Sequence, residues 1–223
     1  MQHIYFSLLT LIFKTNKMET NLNHEQSLTL INEMILRAQN NVQKERMYSM
    51  IFWGYTTAAV AIINYVLLLT LTNSTHSFWV WCLMFPAGIT SAFIDRSIHR
   101  TLLVKTHIDK IGNMVWRGYL LGVVVFLVTL FSASIRHHSS DVFIMCTPVI
   151  LIMVGICEFA SAVIYRYKPW FMVAALFGVG ALGCVLLPAS LQELQFIILA
   201  VCMLLGFVVP GHLLSRKTKK SHV

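Results

Sequence analysis

From residue 50 to residue 214 the chain is a succession of six apolar runs, at about 50 to 72, 78 to 94, 113 to 134, 142 to 165, 169 to 189 and 194 to 214. Each is close to the ~20 residues that an α-helix needs to cross a hydrocarbon layer ~30 Å thick. The rest of the composition agrees: of 223 residues, 57% are hydrophobic and 12% charged, whereas an ordinary soluble domain has about a quarter of its residues charged. A polar skin cannot be drawn from such a pool. The expected fold is all-α, a polytopic helical membrane protein with six transmembrane helices arranged as three hairpins, preceded by a cytosolic amphipathic helix.

Charge placement orients the spans. Seventeen residues are Lys or Arg, and among the connections at 73 to 77, 135 to 141 and 190 to 193 the only one is Arg136. The others lie in the N-terminal segment, in the segment DRSIHRTLLVKTHIDKIGNMVWR from Asp95 to Arg117, at Arg166 and Lys168, and in the tail from Arg216. Lys and Arg resist translocation, so the connections that carry them are expected on the cytoplasmic side, with both termini. Trp53, Trp79, Trp81, Trp116, Tyr119, Tyr165, Tyr167 and Trp170 fall near run ends, as interfacial aromatics do.

Ahead of the runs, residues 1 to 17 carry an apolar core, Ile4 to Phe13, too short to span. No Lys or Arg precedes it and no small-residue cleavage site follows, so it does not read as a secretory signal. We expect an upstream-start extension with Met18 as the natural start; an interfacial helix is the alternative. Residues 18 to 49 are expected to hold a cytosolic amphipathic helix. There Asn23 is placed to cap with Gln26, and Leu28, Ile31, Met34, Ile35, Ala38 and Val42 recur along one face. Residues 216 to 223 form a basic cytosolic tail.

Faint internal similarity accompanies the hairpins. Met50 to Tyr55 and Met114 to Tyr119 open the first and third runs alike, and Ser91 to Arg96 and Ser161 to Arg166 close the second and fourth. A parallel repeat explains this, and so does convergence on what inside-facing helix ends favour. Gly118 with Gly122, Gly178 with Gly180 and Gly183, and Ala58, Ala59 and Ala61 are candidates for close helix packing. Pro86, Pro148 and Pro210, all in even-numbered runs, are expected to bend or end them.

Chemistry-bearing residues are few. Cys82, Cys146, Cys157, Cys184 and Cys202 lack metal or redox spacing and read as small buried apolar residues. No intramembrane protease motif and no phosphate-cradling glycine loop is present, so an enzyme is not expected, nor a cofactor, a bound metal or a nucleic-acid partner. His76, His137, His138 and Asp141 lie in outer loops, where solvated histidines are the commoner reading. Glu158 is the one ionisable residue well inside a run, about two turns or roughly 12 Å of helical rise from Arg166. A carboxylate there needs a partner, a proton or a water-filled cavity. Arg117, about a turn into the third run from the same side, is the expected partner, so Glu158 and Arg117 are read as an intramembrane ion pair or a proton site. Arg96, Arg100, Lys105 and Lys110 make a basic cytosolic connector.

One resemblance is carried by Glu25 to Ile35, Met50 to Gly54, Val104 to Lys110 with Val115 and Trp116, and Pro210 to Leu214. These strings resemble small multi-spanning membrane proteins common in Bacteroidetes bacteria. That family implies a bacterial inner membrane and supplies no catalytic residues. Two function classes are expected. The first, favoured by charge kept outside the membrane, is a regulatory or interaction protein that docks a cytosolic partner through its N-terminal helix and basic connector, in the lipid bilayer and with a homo-oligomer as an option. The alternative is a small transporter or channel using Glu158, with Asn64, Thr90, Ser91, Thr129 and Thr147 adding polarity.

Overall fold

The computed structural model describes residues 27–29, 47–71, 74–99, 107–138 and 141–220. The amphipathic helix expected before residue 47 falls almost wholly outside them, as do residues 1 to 17, Arg100 and Lys105. Met1–Asn41 and Val42–Val223 form separate compact units, and the second contains all the apolar runs.

Every described element is helical. In chain order they are α1 (Met47–Thr70), a 3₁₀ segment (Ser74–Leu83) leading into α2 (Met84–His99), α3 (His107–His137), a 3₁₀ turn (Asp141–Met145) leading into α4 (Cys146–Ile164), and α5 (Pro169–Leu186). A 3₁₀ turn (Ala189–Leu194) then opens a final rod built from α6 (Gln195–Met203), a π segment (Leu204–Val208) and α7 (Val209–Lys220). Among the described residues, five helices are long and apolar enough to cross a membrane, and the run Trp79–Ile94 is a shorter apolar helix.

The prolines explain where the ladder changes type. Pro86, Pro148 and Pro210 sit in the first turn of α2, α4 and α7, each just after a 3₁₀ or π segment. Proline lacks the N–H that the carbonyl four residues back expects, so the hydrogen-bond register shifts upstream of it. In the last rod the Val209 N–H reaches five residues back, to the Leu204 carbonyl. Pro169 instead opens α5 at a position where the N–H has no partner to lose.

The α4–α5 hairpin is tight. Arg166 adopts a left-handed φ of 51°, the Tyr167 N–H donates to the Ala162 carbonyl at 3.2 Å, and the Arg166 N–H donates to Val163 at 3.3 Å. Together these make a Schellman closure of α4. Trp170, 5% exposed, closes the end of the hairpin between Tyr165 and Tyr167, with ring centroids 5.6 and 5.3 Å away.

Phe177 is the centre of the core. It is fully buried on α5, with glycines packed against it from two other elements. A Cβ at Gly155 of α4 would lie 3.3 Å from Phe177 Cβ and 3.3 Å from the Ala174 carbonyl oxygen, and one at Gly206 of the π segment would lie 2.7 Å from the Phe177 ring. α1 runs antiparallel to the last rod: Gly54 meets Phe207 and Val208, and Gly211 meets Ile51 and the Met47 carbonyl. α3 is peripheral, with 6% of its apolar window buried against 28% to 50% for the other four long helices. At Gly118 and Gly178, expected in close packing, an added Cβ would meet nothing within 4 Å, whereas at Gly122 it would run into Met153.

Candidate functional site: a buried acidic layer

The inward stripe of α4 is Leu151, Val154, Gly155, Glu158, Ser161 and Ala162, the three- and four-residue spacing of a core-facing helix. Glu158 thus occupies a position where the pattern calls for an apolar residue, and it is 0% exposed. Ser161, one turn nearer the α4–α5 hairpin, is also 0% exposed.

Antiparallel packing sets the height of Glu158. Gly155 lies against Ala174 and Phe177, so one turn down the hairpin Glu158 is level with Val173 and Ala174. Val173 in turn contacts Gly206, and the neighbouring Phe207 contacts Gly54 of α1. The same layer receives Trp116 of α3, whose ring centroid is 6.1 Å from that of Phe207, and Trp53 of α1, whose indole N–H donates to Ser91 of α2 at 3.1 Å. Glycines and bulky aromatics therefore meet around a buried carboxyl, at the height where the last rod turns to π geometry. Such π segments are frequent at functional sites.

Arg117 is at nearly the same height, since Gly112 packs against Tyr165 and Gly122 against Met153. Its side chain is nonetheless exposed. Successive helical residues are about 100° apart around the axis, so with Trp116 turned to Phe207, Arg117 is carried round toward the outer face of α3. The structure brings the two candidate residues onto facing helices and takes only Glu158 into the interior.

Of the connector residues, Arg96 and Lys110 are described and exposed. His137 and His138 are exposed, and among the described residues no group of three or more His, Cys, Asp or Glu is placed to hold a metal ion. All five cysteines are free, with Cys157, Cys184 and Cys202 buried, Cys146 partly buried and Cys82 exposed.

The other polar candidates divide. Thr90 and Thr129 are exposed and bond back to their own helices. Ser91 and Thr147 are buried, 7% and 4% exposed. Asn64 is 0% exposed, and neither its amide nitrogen nor its oxygen has a hydrogen-bond partner. By helical rise it stands about 15 Å from the level of Gly54, in a separate polar station toward the other end of the bundle. Sequence reasoning passed over Ser161 and Gln195, the latter 8% exposed. The signal for Ser161 was its spacing, three residues from Glu158. No family model matches the chain, and no curated protein or solved structure matches it either.

Proposed function

We propose that the protein is a small proton- or cation-coupled carrier of a bacterial inner membrane, working through Glu158. The observation that carries this reading is the complete burial of Glu158 in a spanning helix. A charge in that position costs a few kcal/mol, and ionisable groups inside spans typically serve ion or proton pathways. The buried Asn64 supports it as a second polar station in the interior. In this reading the chain makes six crossings as three hairpins, keeps both termini in the cytoplasm and belongs with the Bacteroidetes proteins that its motifs resemble.

The test is flux. In proteoliposomes loaded with a pH-sensitive or a sodium-sensitive dye, an imposed gradient should drive ion movement in the native protein and none in Glu158→Gln, with both proteins monodisperse and helical. A folded native protein that moves no ions under any gradient would sink the carrier.

Exposed Arg96 and Lys110 favour the second reading, a regulatory protein whose basic connector docks a cytosolic partner. That reading expects salt-sensitive partner binding, weakened when Arg96 and Lys110 are changed to Gln and unaffected by Glu158→Gln. The outward apolar face of α3, including Leu121, Val124 and Val128, is available to lipid or to a second copy of the chain.

A further inference from the structure

We infer that Glu158 and Ser161 are the two side-chain arms of a binding site for a monovalent cation of the sodium class. The inference rests on the carrier reading and names the ion it would couple to.

The behaviour of the Ser161 hydroxyl is the first support. Hydroxyls inside helices ordinarily donate back to the carbonyl four residues earlier. Thr70, Thr90, Thr129 and Ser132 do so, at 3.0, 2.8, 2.9 and 2.8 Å, and all four are exposed. Ser161 is the reverse case. It is fully buried, yet its Oγ has no hydrogen-bond partner. A buried hydroxyl held away from its own helix carries a desolvation penalty of about 1–3 kcal/mol unless something else engages it.

Placement on the helix supplies the second support. Glu158 and Ser161 are three residues apart on the same buried stripe of α4, a spacing that sets side chains one above the other. Both side chains end in oxygen and both are fully buried. A carboxylate with a hydroxyl is a hard-oxygen donor set, suited to a small hard cation, and the ion's charge offsets the carboxylate's.

The last rod adds a third element at the same height. Gly206 contacts Val173, the α5 residue level with Glu158, and the carbonyl of Gly206 would in a regular α-helix receive the N–H of residue 210. That residue is proline and has none. Backbone carbonyls freed where a helix leaves α geometry are what discontinuous helices use to coordinate cations in membrane proteins. The absence, among the described residues, of a three-residue His, Cys, Asp or Glu cluster bears on transition metals and leaves an all-oxygen site for a monovalent ion open.

Equilibrium binding of radioactive sodium to the purified full chain in detergent, with choline as the replacement cation, tests the inference. Saturable binding to the native protein is expected, lost in Glu158→Gln and weakened about tenfold in Ser161→Ala, the loss of one hydrogen-bond-strength contact to a charge. Ser161→Thr keeps the hydroxyl and should keep most of the affinity. Thr129→Val, on an exposed face, should change nothing. Potassium should compete far less well than sodium. Absence of saturable sodium binding in the folded native protein overturns the site, and so does unchanged affinity in folded Ser161→Ala. Proton-driven flux that needs Glu158 and ignores sodium would overturn the cation site while the carrier stands. Sodium binding without any flux would support the site and fail the carrier.

Discussion

At the level of single residues, the informative positions are those where side-chain size or charge conflicts with its surroundings. Gly206 is one. A Cβ there would lie 2.7 Å from the Phe177 ring, and Phe177 is also held by Gly155, so neither side can give way freely. Gly206→Ala is expected to cost about 1–3 kcal/mol, the range for overpacking a filled core, read as a lower midpoint of thermal unfolding in detergent. Glycine alone does not mark such a position: Gly118 and Gly178 read the same way in the sequence, yet a Cβ at either would meet nothing. Whether a glycine is wedged depends on the azimuth of its helix in the bundle, which local pattern does not encode. Glu158 was legible because a carboxylate in an apolar run stands out by itself. Its relation to Arg117 was not, because height along a hairpin can be counted from sequence while the facing direction of α3 cannot. With Glu158 buried and Arg117 exposed, the stability effects of Glu158→Gln and Arg117→Gln should add to within about 0.5 kcal/mol, as for independent sites. A double-mutant cycle showing strong coupling would instead support the ion pair.

The elements themselves were largely written in the apolar pattern, and their internal breaks in the prolines. The expected run at 142 to 165 is Val142–Ile164, and that at 169 to 189 is Pro169–Leu186. Less legible was the form each break takes. Pro86 and Pro148 follow 3₁₀ segments, whereas Pro210 follows a π segment, a difference that the apolar pattern does not carry. Restoring the missing N–H tests the cause. In Pro210→Ala the ladder of the last rod is free to return to α register, so amide hydrogen exchange around Leu204 to Val209 should slow relative to the native chain. Unchanged exchange there would mean that packing against Phe177, and not the proline, sets the π register. The Arg166 closure offers a second element-scale test. A non-glycine residue in left-handed geometry costs roughly 1–2 kcal/mol, so Arg166→Gly should raise the unfolding midpoint provided that the native orientation is retained.

For the molecule as a whole, the decisive quantity is the number of crossings, because an odd count puts the termini on opposite sides and an even count on the same side. Among the described residues five helices meet the length for spanning outright; the run Trp79–Ile94 decides the parity. Its apolar core is short in residues but not in reach. The part within the 3₁₀ segment Ser74–Leu83 advances ~2.0 Å per residue and the part within α2 ~1.5 Å, which gives about 26 Å in all, close to the ~30 Å of a hydrocarbon core. The stretched 3₁₀ geometry thus lets a run that looks marginal by residue count come near to crossing. Charge points the same way, since Arg96 at the far end is exposed and basic residues resist passage. Single cysteines at Ser74, Thr101, Ser139 and Ser221, in a chain with its five native cysteines replaced, should separate the cases in intact cells. With six crossings, Ser74 and Ser139 react with a membrane-impermeant thiol reagent from outside and Thr101 and Ser221 react only after permeabilisation. If the Trp79–Ile94 run re-enters instead of crossing, Ser74 and Thr101 will label from the same side, the connector with Arg96 and Lys110 will face Ser74, and the cytosolic docking surface will not exist.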